Sequence, residues 1–289
     1  MLKFLLLAAA VFTGLGVAWM NANLSDKAKN ESKKEETAKS TDLSLGELAL
    51  EMQALRMIRT LNLSPDQIKQ LQKLVHETAM PSRERKGKAS PEFRKVLLNL
   101  RDALAFDDED SIDSLGEQLD QLNESEKPEI DDGVEVTDAA RKAVPSVVKH
   151  LKVTQFVAYV TLVADQVVDP ADELKERLDK VRLLSLAEWK EQRDEIADGV
   201  AKLLAGVDTK RAEKTRDQVI AILCQARTLS EEDYKKKRPN LEKEIDDLVE
   251  ETGPTEIVKN IVQLALADLL SNPRLAAALD AHKPLVNND

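Results

Sequence analysis

Four times this chain writes Leu-Ser and follows the serine, three residues on, with Glu, Gln or Asp. The copies are Leu43-Ser44 with Glu47, Leu63-Ser64 with Gln67, Leu184-Ser185 with Glu188, and Leu229-Ser230 with Asp233. Each is a helix start written out in full. The serine hydroxyl accepts from a free amide of the first turn, and the acid or amide reaches back to the serine N–H. The leucine before the cap packs on an apolar residue one turn in: Leu48, Ile68, Trp189 and Tyr234 in the four copies. Pro65 stands at the first helical position, where its missing N–H costs nothing. Asp233 is shorter than Glu or Gln and makes a weaker partner.

Between these starts the apolar spacing is helical. Leu48, Met52, Leu55 and Ile58 step by fours and threes, as do Phe93, Leu97, Leu100 and Leu104, and Ile112, Leu115, Leu119 and Leu122. Later stripes are Ile196, Val200 and Leu203; Val219, Leu223 and Ala226; and Leu241, Ile245 and Leu248. Aromatics at 3% and nine glycines are too few for sheets and tight turns, whereas 33% charged residues suit solvated helix faces. The fold class expected is all-α, a multi-helix bundle in two helical subdomains.

The chain divides as follows. Residues 1–22 read as a signal peptide: Lys3, an apolar run from Phe4, then small residues at Gly16-Val17-Ala18. Residues 23–42 are charged, poor in large apolar side chains, and read as a flexible linker. Residues 43–124 form an N-terminal helical region. Residues 125–136 hold Pro128, Gly133 and several acids and read as a linker, and 137–289 form a C-terminal helical region. Within it, the valine-rich stretch 144–170 reads as a deeply buried helix, while Lys149, His150, Lys152 and Asp165 argue against membrane insertion. Pro239 is expected to end or kink its helix, and Asn272-Pro273 to split the C-terminus into a long and a short helix. The single cysteine, Cys224, lies on an apolar helical stretch, reads as a buried small hydrophobe, and permits no intrachain disulfide.

Two copies of the start share more than the cap. LSLAEWKEQR from Leu184 and LSEEDYKKKR from Leu229 both run Leu-Ser, acid-aromatic-Lys, then Arg, 45 residues apart, which points to a duplicated helical unit.

Leu63-Ser64-Pro65-Asp66-Gln67 resembles the LTxxQ motif that opens a helix in small periplasmic proteins of the Spy/CpxP group, with serine for threonine. The setting is similar: a leader, a charged segment, amphipathic helices and a charged loop, Ser82–Ser90. The likeness covers residues 43–124, with Leu63, Ser64 and Gln67 as the motif positions. A second LTxxQ copy has no counterpart here, nor has the group any for residues 137–289. The resemblance implies a homodimeric helical chaperone, or an envelope-stress or metal-response adaptor.

The net charge of −11 disfavours phosphate and so nucleic acid. His76, His150 and His282 are scattered without metal spacing, and Asp107–Asp110 lacks the glycine and alternation of a calcium loop, so no metal or other cofactor is expected. The acids Asp108–Asp110 suit a helix N-terminus. No nucleophile motif or phosphate loop is present, and no enzyme is expected. Of two basic runs, Lys235–Arg238 ends a helix, whereas Arg83, Arg85, Lys86 and Lys88 sit in a loop and are the candidate partner-binding residues. The expectation is therefore an exported, periplasmic or secreted, helical protein of the binding type, its partner another protein or an unfolded client. Contact with a membrane is expected only through an uncleaved leader. The alternative is a membrane-tethered helical spacer held by that leader.

Overall fold

In a computed structural model, described over residues 43–163 and 169–282, the chain forms twelve α-helices and one two-stranded antiparallel sheet. The helices are α1 Leu45–Thr60, α2 Pro65–Thr78, α3 Pro91–Phe106, α4 Glu109–Glu126, α5 Asp138–Val148, α6 Val153–Val163, α7 Pro170–Leu183, α8 Leu186–Ala205, α9 Thr209–Thr228, α10 Glu231–Glu250, α11 Pro254–Ser271 and α12 Leu275–Ala281; the strands are β1 Gly87–Lys88 and β2 Glu129–Ile130. The all-α class read from the apolar spacing is the one observed. The leader and the charged segment to residue 42 lie outside the described residues. None of the described helices is long and apolar enough to cross a membrane.

The written helix starts are all used. Ser44 Oγ accepts from the Glu47 amide at 3.2 Å while Glu47 Oε2 accepts from the Ser44 amide at 2.9 Å. Ser64 and Gln67 close the same box at 3.4 and 2.8 Å, and Ser185 and Glu188 at 3.3 and 2.8 Å. At Ser230 the shorter acid behaves as its length dictates. The Ser230 hydroxyl accepts from the Asp233 amide, and Asp233 Oδ2 accepts from that hydroxyl at 2.8 Å rather than from the main chain.

The described chain falls into two compact units, residues 43–135 with 269–282, and residues 136–268. In the first, α1 is the core: Leu48, Leu50, Leu55 and Ile58 are wholly buried, and its N-terminal half meets the small sheet. Two glycines allow that approach. A Cβ at Gly46 would stand 2.3 Å from the Asp131 carbonyl oxygen, and one at Gly87 would stand 2.8 Å from Leu45 Cβ. Helix α3 packs on α1 and on α4, and α12 packs on α1 and α2. Asp108 caps α4, as the acid run predicted, and Asp107 takes the left-handed conformation and binds Arg59 Nε at 2.5 Å.

The division differs from the sequence reading in two places. Residues 125–136 are not a bare linker: β2 lies there and pairs with β1 inside the basic loop, Gly87 opposite Ile130. Residues 269–282 join the first unit rather than extending the C-terminal region. Their hold on α1 is polar as well as apolar: Asn272 Nδ2 donates to the Leu50 carbonyl at 2.9 Å, and Arg274 Nε donates to the buried Glu51 at 3.1 Å.

The second unit holds α5 to α10 and most of α11. The valine-rich stretch is not one buried helix. It breaks at Lys149–Lys152 into α5 and α6, with Gln155 Oε1 accepting from the Lys152 amide at 2.7 Å to start the second. Pro239 does not end α10 either, which runs through it to Glu250. The carbonyl that loses its partner is that of Lys235, an exposed residue on the solvent side of the helix, where water can replace the missing N–H. The split at Asn272-Pro273 is observed.

Candidate functional site

The motif residues of LSPDQ are occupied locally. Leu63 is buried with Ile68 beneath the first turn of α2, and Ser64 and Gln67 are spent on each other's amides. They help to start a helix.

The basic loop does not form one free cationic surface. Arg85 is buried, at 4% exposure, and its Nη1 donates to the carbonyls of Asp131 at 3.0 Å and Gly133 at 2.9 Å. It ties β1 to the segment after β2. Burial pulls its pKa down from the usual guanidinium value, against the pull of Asp131. Arg83 pairs with Asp131 Oδ1 at 2.9 Å. Lys86 and Lys88 keep exposed side chains while their main chain pairs with β2. Sequence reasoning missed this because a sparse loop hides its backbone acceptors, and one arginine can satisfy two of them.

The duplicated unit is realised as two helical hairpins, α7–α8 and α9–α10, in register at 45 residues. Helices α8 and α10 begin and end at equivalent positions. The buried pairs Leu174 and Val219, Leu178 and Leu223, Trp189 and Tyr234, Ile196 and Leu241, and Val200 and Ile245 are equivalent too. The hairpins clasp each other reciprocally. Arg182 Nη1 donates to the carbonyls of Ala226 and Leu229 at 2.6 and 3.1 Å, while Arg227 Nη1 donates to those of Val181 and Leu184 at 2.9 and 2.7 Å. Each guanidinium also lies over the other hairpin's aromatic ring, Arg182 at 4.1 Å from Tyr234 and Arg227 at 6.0 Å from Trp189. Mutual contact of this kind, residue with residue and its equivalent with the equivalent, is what two-fold packing produces.

The symmetry breaks at Asp179. Tyr234 donates from its hydroxyl to Asp179 at 2.8 Å, and Arg238 pairs with Asp179 at 2.9 Å. Burial, then that carboxylate, pushes the phenol up to about 12. The equivalent of Asp179 is Cys224, half-buried rather than buried as its apolar neighbours suggested. The adjoining surface between α7 and α10 is an open cleft lined by Asp172, Lys175, Glu176, Asp179, Lys180 and Arg238. Its cations are already paired, Lys180 with Glu176 at 2.9 Å and Lys175 with Asp246 at 2.5 Å.

Large apolar side chains face outward in two places: Leu183 and Leu186 at the turn between α7 and α8, and the valines of α5–α6, the pair that also lacks acids. Helix α6 carries no charged residue in a chain one-third charged. Its inner face is Gln155 and Tyr159, both buried. On the opposite face Val153 is 78% and Val157 58% exposed, with Val160 half-exposed and Thr161 exposed beside them. A surface helix ordinarily turns charge outward; this one turns valine. From Ala139 to Ala164 the sequence has no acid, while Arg141, Lys142, Lys149 and Lys152 are all there, with Lys142, Lys149, His150 and Lys152 exposed. That acid-free window was visible in the sequence. The outward turn of the valines was not, because periodicity does not say which side of an all-apolar helix meets the core.

Beneath α6 lies Asp268 of α11. Its Oδ2 is buried with no hydrogen-bond partner, as is Arg141 Nε. Burial holds the Asp268 carboxyl well above the usual carboxylate range, against the fields of Lys202 and Arg141, and Asp268 in turn adds to the burial that raises the Tyr159 phenol.

Among the described residues no three His, Cys, Asp or Glu side chains gather as metal ligands. Compared with models of known protein families, with curated proteins and with solved structures, the chain matches none.

Proposed function

We propose that this is a non-catalytic binding protein that works outside the cytoplasm, and that α5–α6 is its contact face. The observation that carries this reading is the outward valine face, Val153 and Val157, set among cations in a stretch without acids. Exposed apolar surface rimmed by polar groups is what interaction sites look like, and it has no folding benefit. Its partner is apolar and carries negative charge. The leader-like residues 1–22 support export, and the LSPDQ helix supports a setting like that of the Spy/CpxP group, with an unfolded client as one such partner. The paired charges of the α7–α10 cleft support a role without chemistry of its own.

The apolar anionic dye anilinonaphthalene sulfonate tests the face without presuming the partner. The native protein should enhance its fluorescence, and Val153→Ser with Val157→Ser should lower that enhancement more than Leu183→Ser with Leu186→Ser does. An enhancement that the valine pair lowers no more than the leucine pair refutes the assignment. N-terminal sequencing of the protein recovered from its host tests export; an intact Met1 on cytosolic protein contradicts it.

A further inference from the structure

We infer that α5 and α6 dock on the surface of an anionic lipid bilayer. This rests on the reading of α5–α6 as the contact face and names what that face meets.

Three features choose the bilayer. The first is shape. Val153 and Val157 lie one turn apart on a single helix and are 78% and 58% exposed, a strip of outward apolar side chains. Peptide segments are usually held in grooves or along sheet edges, whereas a strip of apolar side chains is what an interfacial helix lowers between lipid headgroups. The second is charge complementarity. Lys149, His150 and Lys152 lie exposed in the turn that leads into α6, and Lys142 on α5, with no acid in the sequence from Ala139 to Ala164, in a chain whose net charge is −11. Such a patch is drawn to anionic headgroups. The third is size. An eleven-residue helix is roughly 16 Å long, and one face of it falls well short of the roughly 800 Å² per partner that a stable protein interface buries. A second copy would moreover bring its own Lys142, Lys149 and Lys152 against these. A bilayer needs no matching area and supplies the opposite charge.

The polar groups of the turn suit this placement. The Lys152 amide is satisfied by Gln155, and the amides of His150 and Leu151 by the carbonyls of Val147 and Val148, so the cationic turn can approach headgroups without leaving those donors unmet. The threonines, Thr154 and Thr161, flank the valines at headgroup level. This is contact along the surface and needs no spanning helix.

The test uses the chain beginning at Asn23, which keeps every described residue and removes the apolar leader as a competing lipid binder. It is sedimented with vesicles of phosphatidylcholine alone and of phosphatidylcholine with phosphatidylglycerol. The protein should pellet with the anionic vesicles, at least tenfold more tightly than with neutral ones, and less so as salt rises. Val153→Glu with Val157→Glu, and separately Lys149→Glu with Lys152→Glu, should each weaken binding at least tenfold; all four sites are exposed, and circular dichroism checks that the helices persist. Failure to pellet, equal binding to neutral vesicles, or indifference to both double substitutions overturns the inference. So does tighter binding to a reduced, carboxymethylated unfolded polypeptide than to anionic vesicles. Dye enhancement that depends on Val153 and Val157 without vesicle binding leaves the contact face standing and removes only the lipid; absence of that dye response removes both.

Discussion

Arg182 and Arg227 each close the open end of the helix that carries the other: Arg182 donates to the last carbonyls of α9, and Arg227 to those of α7. Helix C-termini leave carbonyls without intrahelical partners, and here one side chain from each hairpin answers for its twin. Replacing either by alanine should cost a similar amount, about 1–3 kcal/mol, since each loses charge-assisted hydrogen bonds and a ring contact. Lysine should recover little, as an ammonium lacks the planar fork that serves two acceptors while lying on a ring. Urea unfolding of the four single variants measures this, and a large inequality between Arg182→Ala and Arg227→Ala contradicts the two-fold account.

Ser64→Ala separates a helix start from a partner motif. The capping box predicts a loss of about 0.5–2 kcal/mol in stability and a similar loss for Ser44→Ala, with dye binding at α6 untouched by either. Thermal unfolding followed by dye fluorescence reads both quantities on the same samples. A Ser64→Ala protein of full stability would remove the local explanation of LSPDQ.

Glu51 is the buried anion that receives Arg274, with Arg101 at 3.7 Å on its other oxygen. Breaking a buried pair by removing one partner costs about 3–5 kcal/mol, because the other charge stays behind uncompensated. Glu51→Ala should therefore release residues 269–282 from α1 before the rest of that unit opens. Amide hydrogen exchange checks this: protection should fall first in α12. Uniform loss across α1 to α4 would mean that Glu51 holds no particular segment.

Asp268 ties stability to pH. Its folded pKa is raised, so the folded state holds the proton more tightly than the unfolded state. The benefit is fully present below the ordinary carboxylate value and is lost as pH rises towards the folded value. The urea midpoint should thus be higher in mild acid than at alkaline pH. The net charge of −11 works in the same direction, which is why Asp268→Asn is the informative variant: it should raise the midpoint at neutral pH and flatten the profile. A variant profile parallel to that of the parent contradicts a protonated Asp268.

The elements were legible because their starts are written in the sequence. Ser44, Ser64, Ser185 and Ser230 cap the helices their spacing announced, and Leu48, Leu97, Leu223 and Ile245 are buried where the stripes placed them. What failed to show were tertiary facts. Arg85 looked like free surface because its acceptors, the carbonyls of Asp131 and Gly133, carry no side-chain signature. Pro239 looked like a break because propensity cannot see that the carbonyl it orphans, that of Lys235, lies on the solvent side. The duplication was half visible: the run around Ser185 and Ser230 announced it, but only packing could show Arg182 and Arg227 exchanging partners. The valine face of α6 was the hardest, since buried and outward valines read alike.

The central claim is that the valine strip of α6 is a contact surface. A solvent-sensitive fluorophore on Val157→Cys, in a Cys224→Ala background, tests it most directly, with a twin label on exposed Lys190→Cys as the reference. On addition of anionic vesicles or of an unfolded acidic polypeptide, the emission from position 157 should shift to the blue while that from position 190 stays in place. Emission from position 157 that shifts with neither, or that moves only as much as position 190, contradicts the account.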